Sequence, residues 1–404
     1  MQESEHKLPK GFIITTAEAA IKTPGRKDIV VISSTTPAEA AGVFTSNVVK
    51  AAPVTLDMER LKDATAQAIV INSGNANACT DQQGVDNAIE MSRIVSDALH
   101  IDKDNCLVAS TGVIGAQLPM QRIKPALINS LFSAGTAVPN PTNATLLDAA
   151  SAIMTTDTFP KAISRDIEIG DCTVTVAAIA KGAGMISPNM ATLLCFVITD
   201  LAIDHTALQL ALTEAVDKTF NKITIDGDMS TNDTVLALAN GLAGNERVVA
   251  YGYGFHSFRV ALQEVLMELA VMCVRDGEGA TKFVTVKVVG AGTDGDADRL
   301  ARTVANSLLV KTAIYGADAN WGRIMAAIGY SGVLFNPNVV DVYFNDVPVV
   351  TNGRGANNDS EAGEIFRRND LTITIDMKSG QGAARIFTCD LTEDYVKINA
   401  HYRT

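Results

Sequence analysis

The chain has 404 residues, and its 33 Lys and Arg against 45 Asp and Glu give a formal net charge of −12. Hydrophobic residues make up 47% and charged residues 19%, which suits a well-buried globular protein and leaves no room for extensive disorder. The acidic balance argues against a surface built to cover nucleic acid or an anionic membrane, since both need clustered Lys and Arg.

At this length two domains are expected rather than one. No apolar run approaches the roughly 20 residues that a bilayer crossing needs. The first residues, MQESEHKLPKG, carry charges of both signs and lack the apolar stretch of a secretion signal. Six cysteines, at 79, 106, 172, 195, 273 and 389, show no CxxC spacing, and the five histidines show no ligand spacing. The expectation is a reduced, cytoplasmic protein with no metal and with its cysteines as small core residues.

In chain order, Ala68–Asn72 (AIVIN) and Cys106–Ala109 (CLVA) read as buried strands, each ending in a loop of small polar residues. Between them Val85, Ala88, Ile89, Ser92, Val95, Ala98 and Leu99 recur at helical spacing. Helices follow at Asp204–Phe220, with Asp204 as the N-cap, and at Phe258–Cys273. The texture changes near residue 280, which places a boundary there between units 1–280 and 281–404. Beyond it Phe283–Val289, Val339–Phe344 and Leu371–Asp376 alternate as half-buried antiparallel strands do. Gly290–Gly295 (GAGTDG) matches GxGxxG before a helix at Asp296–Leu309. Thr285 and Lys287 interrupt the preceding strand, however, so a plain strand-to-helix turn is preferred over a dinucleotide site.

Residues 180–199, A-KGAGMISPNM-ATLLCFVIT, carry the most chemistry. A glycine-rich stretch and Pro188 lead to Ala191 and Thr192, after which the apolar β-run Leu193–Thr199 begins abruptly. Such a threonine suits a nucleophile made by self-cleavage. Its hydroxyl attacks the Ala191 carbonyl, an N→O acyl shift gives an ester, and water opens it. Thr192 then starts a chain, and its α-amine, with an ordinary pKa of about 7.7–8.0, can take the Oγ proton. On spacing alone, a surface loop entering a strand explains the same residues.

KGAGMISPNMATLL resembles the cleavage segment of the glutamate N-acetyltransferase (ornithine acetyltransferase) family of arginine biosynthesis, and the resemblance runs through nearly the whole chain. It includes GVFTSNVVKAAPV at 42–54, NSGNANACT at 72–80, STGVIG at 110–115 and TTDTFPK at 155–161. It continues with ITIDGDMSTNDT at 223–234, DGEGATK at 276–282, LVKTAIYGADANWGRI at 309–324 and INAHYRT at 398–404.

The resemblance implies a layered α/β (α+β) sandwich with mixed sheets between helices, of N-terminal-nucleophile-like architecture, plus a smaller α+β C-terminal domain whose tail reaches the active site. It implies cleavage into chains 1–191 and 192–404 that stay together, with two such pairs forming a heterotetramer. It also implies acetyl transfer from N2-acetyl-L-ornithine to L-glutamate through acetyl-Thr192, without a cofactor; acetyl-CoA is a candidate second donor. By the same resemblance Thr111 and Gly112 form the oxyanion hole. Lys181 would meet the substrate α-carboxylate and Glu278 an ammonium group, with further substrate contacts from Thr155, Thr156, Asn399 and Thr404.

Three polar clusters are read as structural. Asn72, Asn75 and Asn77, with Ser73 and Gly74, could position loop backbone near the oxyanion hole, but turn hydrogen bonds are the preferred reading. Asp226, Asp228 and Asp233 lack the regular ligand pattern of a calcium loop. Trp321 would anchor packing beside an Asp318–Arg323 ion pair. Two competing functions remain: a related self-cleaving amidohydrolase or aminopeptidase, and a non-catalytic protein carrying a relic of the site.

Overall fold

The computed structural model describes residues 6–131, 144–187 and 193–401. They fall into two compact units. The first takes residues up to 182, then 193–221 and 229–273; the second takes 183–187, 222–228 and everything described from 274 onward.

The first unit is built on an eight-stranded mixed sheet. Its elements run β1 (Phe12–Ala17), β2 (Ile29–Phe44), α1 (Ala52–Arg60), β3 (Thr65–Asn75), α2 (Asp81–Leu99), β4 (Cys106–Val113), α3 (Met120–Leu131) and α4 (Leu146–Ile153). They continue with β5 (Lys161–Ile169), β6 (Cys172–Lys181), β7 (Leu194–Thr199), α5 (His205–Lys218), β8 (Thr234–Ala239) and α6 (Phe255–Arg275). The strand order is β4-β3-β2-β8-β7-β6-β5, with β1 also on β2. β3 runs parallel to β4 and β7 parallel to β8, and the other pairs are antiparallel.

The continuously apolar strands follow from burial on both faces. Val30, Ile32, Ile69 and Ile71 join α4 residues in one core, while Ile29, Val31, Ala68 and Val70 join α2 and α3 residues in another. Each fully buried Val, Ile or Leu contributes about 1.5–3 kcal/mol relative to exposure. Asp204 does cap α5, its carboxylate accepting the Ala207 N–H, and the helix ends at Lys218. α2 buries Ala88, Met91 and Val95, but Ile89 faces solvent.

The second unit has a six-stranded sheet. Its elements are β9 (Phe283–Ala291), α7 (Asp294–Ala305), α8 (Leu308–Tyr315), α9 (Trp321–Gly329), β10 (Asp341–Phe344) and β11 (Val347–Thr351). They end with β12 (Arg354–Gly355), α10 (Asp359–Phe366), β13 (Asp370–Asp376), β14 (Gly382–Cys389) and α11 (Glu393–Ala400). Val284, Val286 and Val288 face a core shared with α7, α8, α9 and α10.

Several expectations are corrected here. β9 pairs parallel with β13 and antiparallel with β14, so the alternating runs are not all antiparallel. Alternation reports that one face is buried and says nothing of the neighbour's direction. The strand expected from Val339 begins at Asp341, because Asn336 caps a short 3-10 turn over Pro337–Val339. The helix expected over Asp296–Leu309 is two helices: α7 stops at Ala305, and Ser307 caps α8 by accepting the Val310 N–H. In the GAGTDG turn Thr293 already caps α7, and Asp294 and Asp296 in its first turn would repel a phosphate. Arg323 donates to the Leu309 carbonyl and the Thr312 hydroxyl instead of pairing with Asp318. Cys79 is exposed and Cys172 half-buried, so only four of the cysteines are core residues.

Among the described residues no helix is long and apolar enough to cross a membrane.

Candidate active site

In the first unit Thr111 and Gly112 lie near the end of β4, paired with the end of the parallel strand β3, so the loop expected after Ala109 is strand as far as Val113. Gly74 lies in register with Gly112. Gly112 has φ +136°, and a Cβ there would stand 2.2 Å from the Gly74 carbonyl carbon and 2.4 Å from the Asn75 nitrogen. Only glycine fits so close a backbone approach at that φ.

Asn72 and Asn75 reach beyond their own turn to β4 and the residues after it, whereas Asn77 Nδ2 donates locally to the Gly84 carbonyl. Ser110 Oγ donates to Asn72 Oδ1 at 2.6 Å, and Asn75 Nδ2 donates to the carbonyls of Ala116 and Gln117 at 3.0 and 3.2 Å. From the segment before β8, Asn232 Nδ2 donates to the carbonyls of Ala76 and Ser110 at 2.6 and 2.8 Å. Buried amide groups with every hydrogen bond made hold a backbone in one geometry.

Lys181, the last residue of β6, is 4% exposed. Its ammonium donates to Thr155 Oγ1 at 2.7 Å and to Thr111 Oγ1 at 3.4 Å. Thr111, Thr155 and Lys181 therefore meet, while Thr156 is half-buried beside them. Asp157 underlies the group. Its fully buried carboxylate accepts from Lys161 Nζ and the Gly182 N–H, both at 2.8 Å, and from the Thr155 N–H at 3.0 Å. Burial alone would raise its pKa, but the charges of Lys181 and Lys161 outweigh that and hold it at about 2.

Asp233, just before β8, is fully buried and accepts the Leu193 N–H at 3.1 Å. Burial pushes this carboxyl well above the usual range, against the Leu193 N–H, the charge of Lys181 and the nearby Thr45 and Ser230 hydroxyls. It thus grips the backbone one residue beyond position 192.

In the second unit Glu278 is buried, and its carboxylate accepts from Asn399 Nδ2 at 2.7 Å. Its own N–H donates to the Ala183 carbonyl at 2.7 Å. A Cβ on Gly184 would fall 2.5 Å from the Glu278 carboxyl carbon, so a side chain there would push that carboxylate out of place. α11, which carries Asn399, is tied down by Thr392 Oγ1 donating to the Gly279 carbonyl and by Tyr395 OH donating to Asp226. Asp226 also accepts the N–H groups of Met185 and Ile186, at 2.6 and 3.0 Å.

Two sets of expected residues are thus brought together, Thr111, Thr155 and Lys181 in one unit and Glu278 with Asn399 in the other. Ala191, Thr192 and Thr404 lie outside the described residues. Sequence reasoning missed Asp157 and Lys161, although both stand in the TTDTFPK block, and it took Asp226 and Asp233 for plain loop acids. Among the described residues no group of three or more His, Cys, Asp or Glu is placed to hold a metal ion.

The ArgJ family profile matches residues 13–404. The arginine biosynthesis bifunctional protein ArgJ of Geobacter sulfurreducens is 51% identical over 400 residues, covering 98% of this chain and 99% of the relative. The glutamate N-acetyltransferase of Methanocaldococcus jannaschii is 46% identical over 410 residues, 98% of each. A crystal structure of arginine biosynthesis bifunctional protein ArgJ from Bacillus halodurans is 44% identical, covers 51% of this chain and 97% of that one, and gives a TM-score of 0.49. With a family match over nearly its whole length and relatives of such identity, the chain belongs to the ArgJ family.

Proposed function

We propose that the protein transfers an acetyl group from N2-acetyl-L-ornithine to L-glutamate through an acetyl-Thr192 intermediate, after cutting itself between Ala191 and Thr192. The observation that carries the reading is the buried Lys181 ammonium bonded to both the Thr155 and the Thr111 hydroxyls. A charge suited to an α-carboxylate and a hydroxyl suited to an oxyanion stand side by side.

Thr192 Oγ attacks the acetyl carbonyl while its α-amine takes the proton, and Thr111 Oγ and the Gly112 N–H receive the developing oxyanion. The intermediate collapses, the carbon–nitrogen bond breaks, and the departing ornithine nitrogen takes that proton. Glutamate's amine then attacks the acetyl ester, releasing N-acetyl-glutamate and restoring the Thr192 hydroxyl. Lys181 holds the α-carboxylate common to both substrates, with Thr155 and Thr156 beside it. Glu278, braced by Asn399, meets an ammonium group, and Thr404 is assigned to the same substrate contacts. No cofactor is invoked.

Sheet topology explains why the two pieces would stay together. β7 and β8 belong to residues 192–404, yet they lie between β6 and β2, which belong to 1–191. Cutting at 191/192 leaves these strands interleaved, and association of two such pairs into a heterotetramer completes the proposed assembly.

The test is purified protein with N2-acetyl-ornithine and glutamate, following N-acetyl-glutamate against free acetate. The reading expects N-acetyl-glutamate to dominate. Dominant acetate would instead identify a hydrolase of the amidohydrolase or aminopeptidase kind, in which water reaches the acyl-enzyme. A parallel assay with acetyl-CoA in place of acetyl-ornithine asks whether that donor is also used.

A further inference from the structure

Lys161 and Asp157 are assigned no part in the reaction above, yet both side chains are completely buried. Asp157 has one carboxylate for two buried ammonium groups. Lys161 Nζ holds Oδ1 at 2.8 Å, while Lys181 Nζ stays 4.0 Å from Oδ2. Lys161 is kept in place from its own side by the ring of Phe159, 4.8 Å away, and by the Phe159 carbonyl. The Gly182 N–H also donates to Oδ1, and the Thr155 N–H donates to Oδ2.

Around Asp157, then, one carboxylate faces two buried ammonium groups, and the other carboxyl within reach of the Lys181 charge, that of Asp233, is pushed by burial well above the usual range, toward its uncharged form. Geometry decides which lysine takes Asp157. Lys161 holds it at 2.8 Å, which leaves Lys181 at 4.0 Å with the uncharged Thr155 and Thr111 hydroxyls at closer distances.

We propose that Lys161 is a positioning residue that, by occupying Asp157, keeps the Lys181 ammonium available for the α-carboxylate of the amino-acid substrates. With Lys161 gone, Lys181 turns onto Asp157 and forms a direct ion pair there. The substrate must then break that pair in order to bind. This inference rests on the reading of Lys181 as the carboxylate-binding residue.

The experiment measures kcat and KM for N2-acetyl-ornithine and glutamate on full-length, self-processed protein. The variants are Lys181→Met, Lys161→Met, Lys161→Arg and the double Lys161→Met/Asp157→Asn. Lys161→Met is expected to raise both KM values about tenfold with kcat within about twofold, the signature of lost ground-state binding. Lys161→Arg, which keeps the charge, should stay within about twofold of the parent. The double variant should return KM to within about threefold, because a neutral Asn gives Lys181 no carboxylate to pair with. A structural role alone would leave the double variant at least as impaired as the single one. Unchanged KM in Lys161→Met, or no recovery in the double variant, overturns the proposal. If Lys161→Met does not fold, the double variant decides: parent-like KM supports the proposal and a tenfold rise overturns it. Lys181→Met separates the two levels. Unchanged KM there removes the carboxylate reading and this inference with it, whereas raised KM there with none in Lys161→Met removes only the inference.

Discussion

A Thr192→Ala chain is expected to stay one unbroken 404-residue polypeptide and to lose acetyl transfer by at least about 10⁴-fold, the scale seen when a covalent nucleophile is deleted. Alanine has no hydroxyl to attack the preceding carbonyl, so no ester forms and no α-amine is released at residue 192. Both the nucleophile and its base disappear in one substitution. The fold should survive. Leu193 keeps its bond to Asp233, and Thr234 N–H keeps its bond to the Leu193 carbonyl, whether or not the preceding peptide is cut. Denaturing gel electrophoresis, circular dichroism and the exchange assay check the three parts. Thr192→Ser, which keeps a hydroxyl, should cut itself and recover part of the activity. A Thr192→Ala preparation that still divides in two would assign the cut to another agent.

Gly112→Ala should combine a loss of stability with a loss of rate. The new methyl would sit 2.2–2.6 Å from backbone atoms of Gly74 and Asn75, at a φ of +136° that side chains rarely adopt. Neither obstacle is the end of a flexible side chain, so β3 and β4 must part at their ends. Strain and overpacking together cost about 2–4 kcal/mol, or roughly 5–10 °C in melting temperature for a unit of this size. Displacing the Gly112 N–H from the oxyanion should lower kcat about 10²–10³-fold. Gly115, three residues on, supplies the control. Its φ is +83° but a Cβ there meets nothing within 4 Å. Gly115→Ala should cost only backbone strain, about 1 kcal/mol, and leave kcat within about threefold. Equal kcat losses in the two variants would remove Gly112 from the oxyanion hole.

The fold was legible where one local rule decided the outcome. Asp204 has the side chain that caps a helix, and it does so. The unbroken apolar runs of β3 and β4 require two buried faces, and α2 and α4 supply them. Legibility failed where the deciding partner lies far along the chain. Nothing in Phe283–Val289 announces that its neighbour from Asp370–Asp376 runs parallel. Nor does local pattern place 183–187 and 222–228 with the residues beyond 274.

The site divides in the same way. Thr111, Thr155 and Lys181 stand out as separate motif residues, but their shared hydrogen bonds belong to tertiary structure. Lys161 and Asp157 look like ordinary surface charges in sequence, and their burial belongs to the folded chain, where Lys161 opens β5 opposite Ala180 of β6. Asp233 looked like one acid among three. Its hold on the Leu193 amide emerges only because β8 lies parallel to β7.

The account turns on whether the backbone cuts itself between Ala191 and Thr192, and the intact mass of freshly purified protein under denaturing conditions tests this most directly. Two species are predicted, matching residues 1–191 and 192–404, with masses that together exceed the uncut chain by one water. A single species at 42.6 kDa from protein that carries out the exchange reaction would contradict the account.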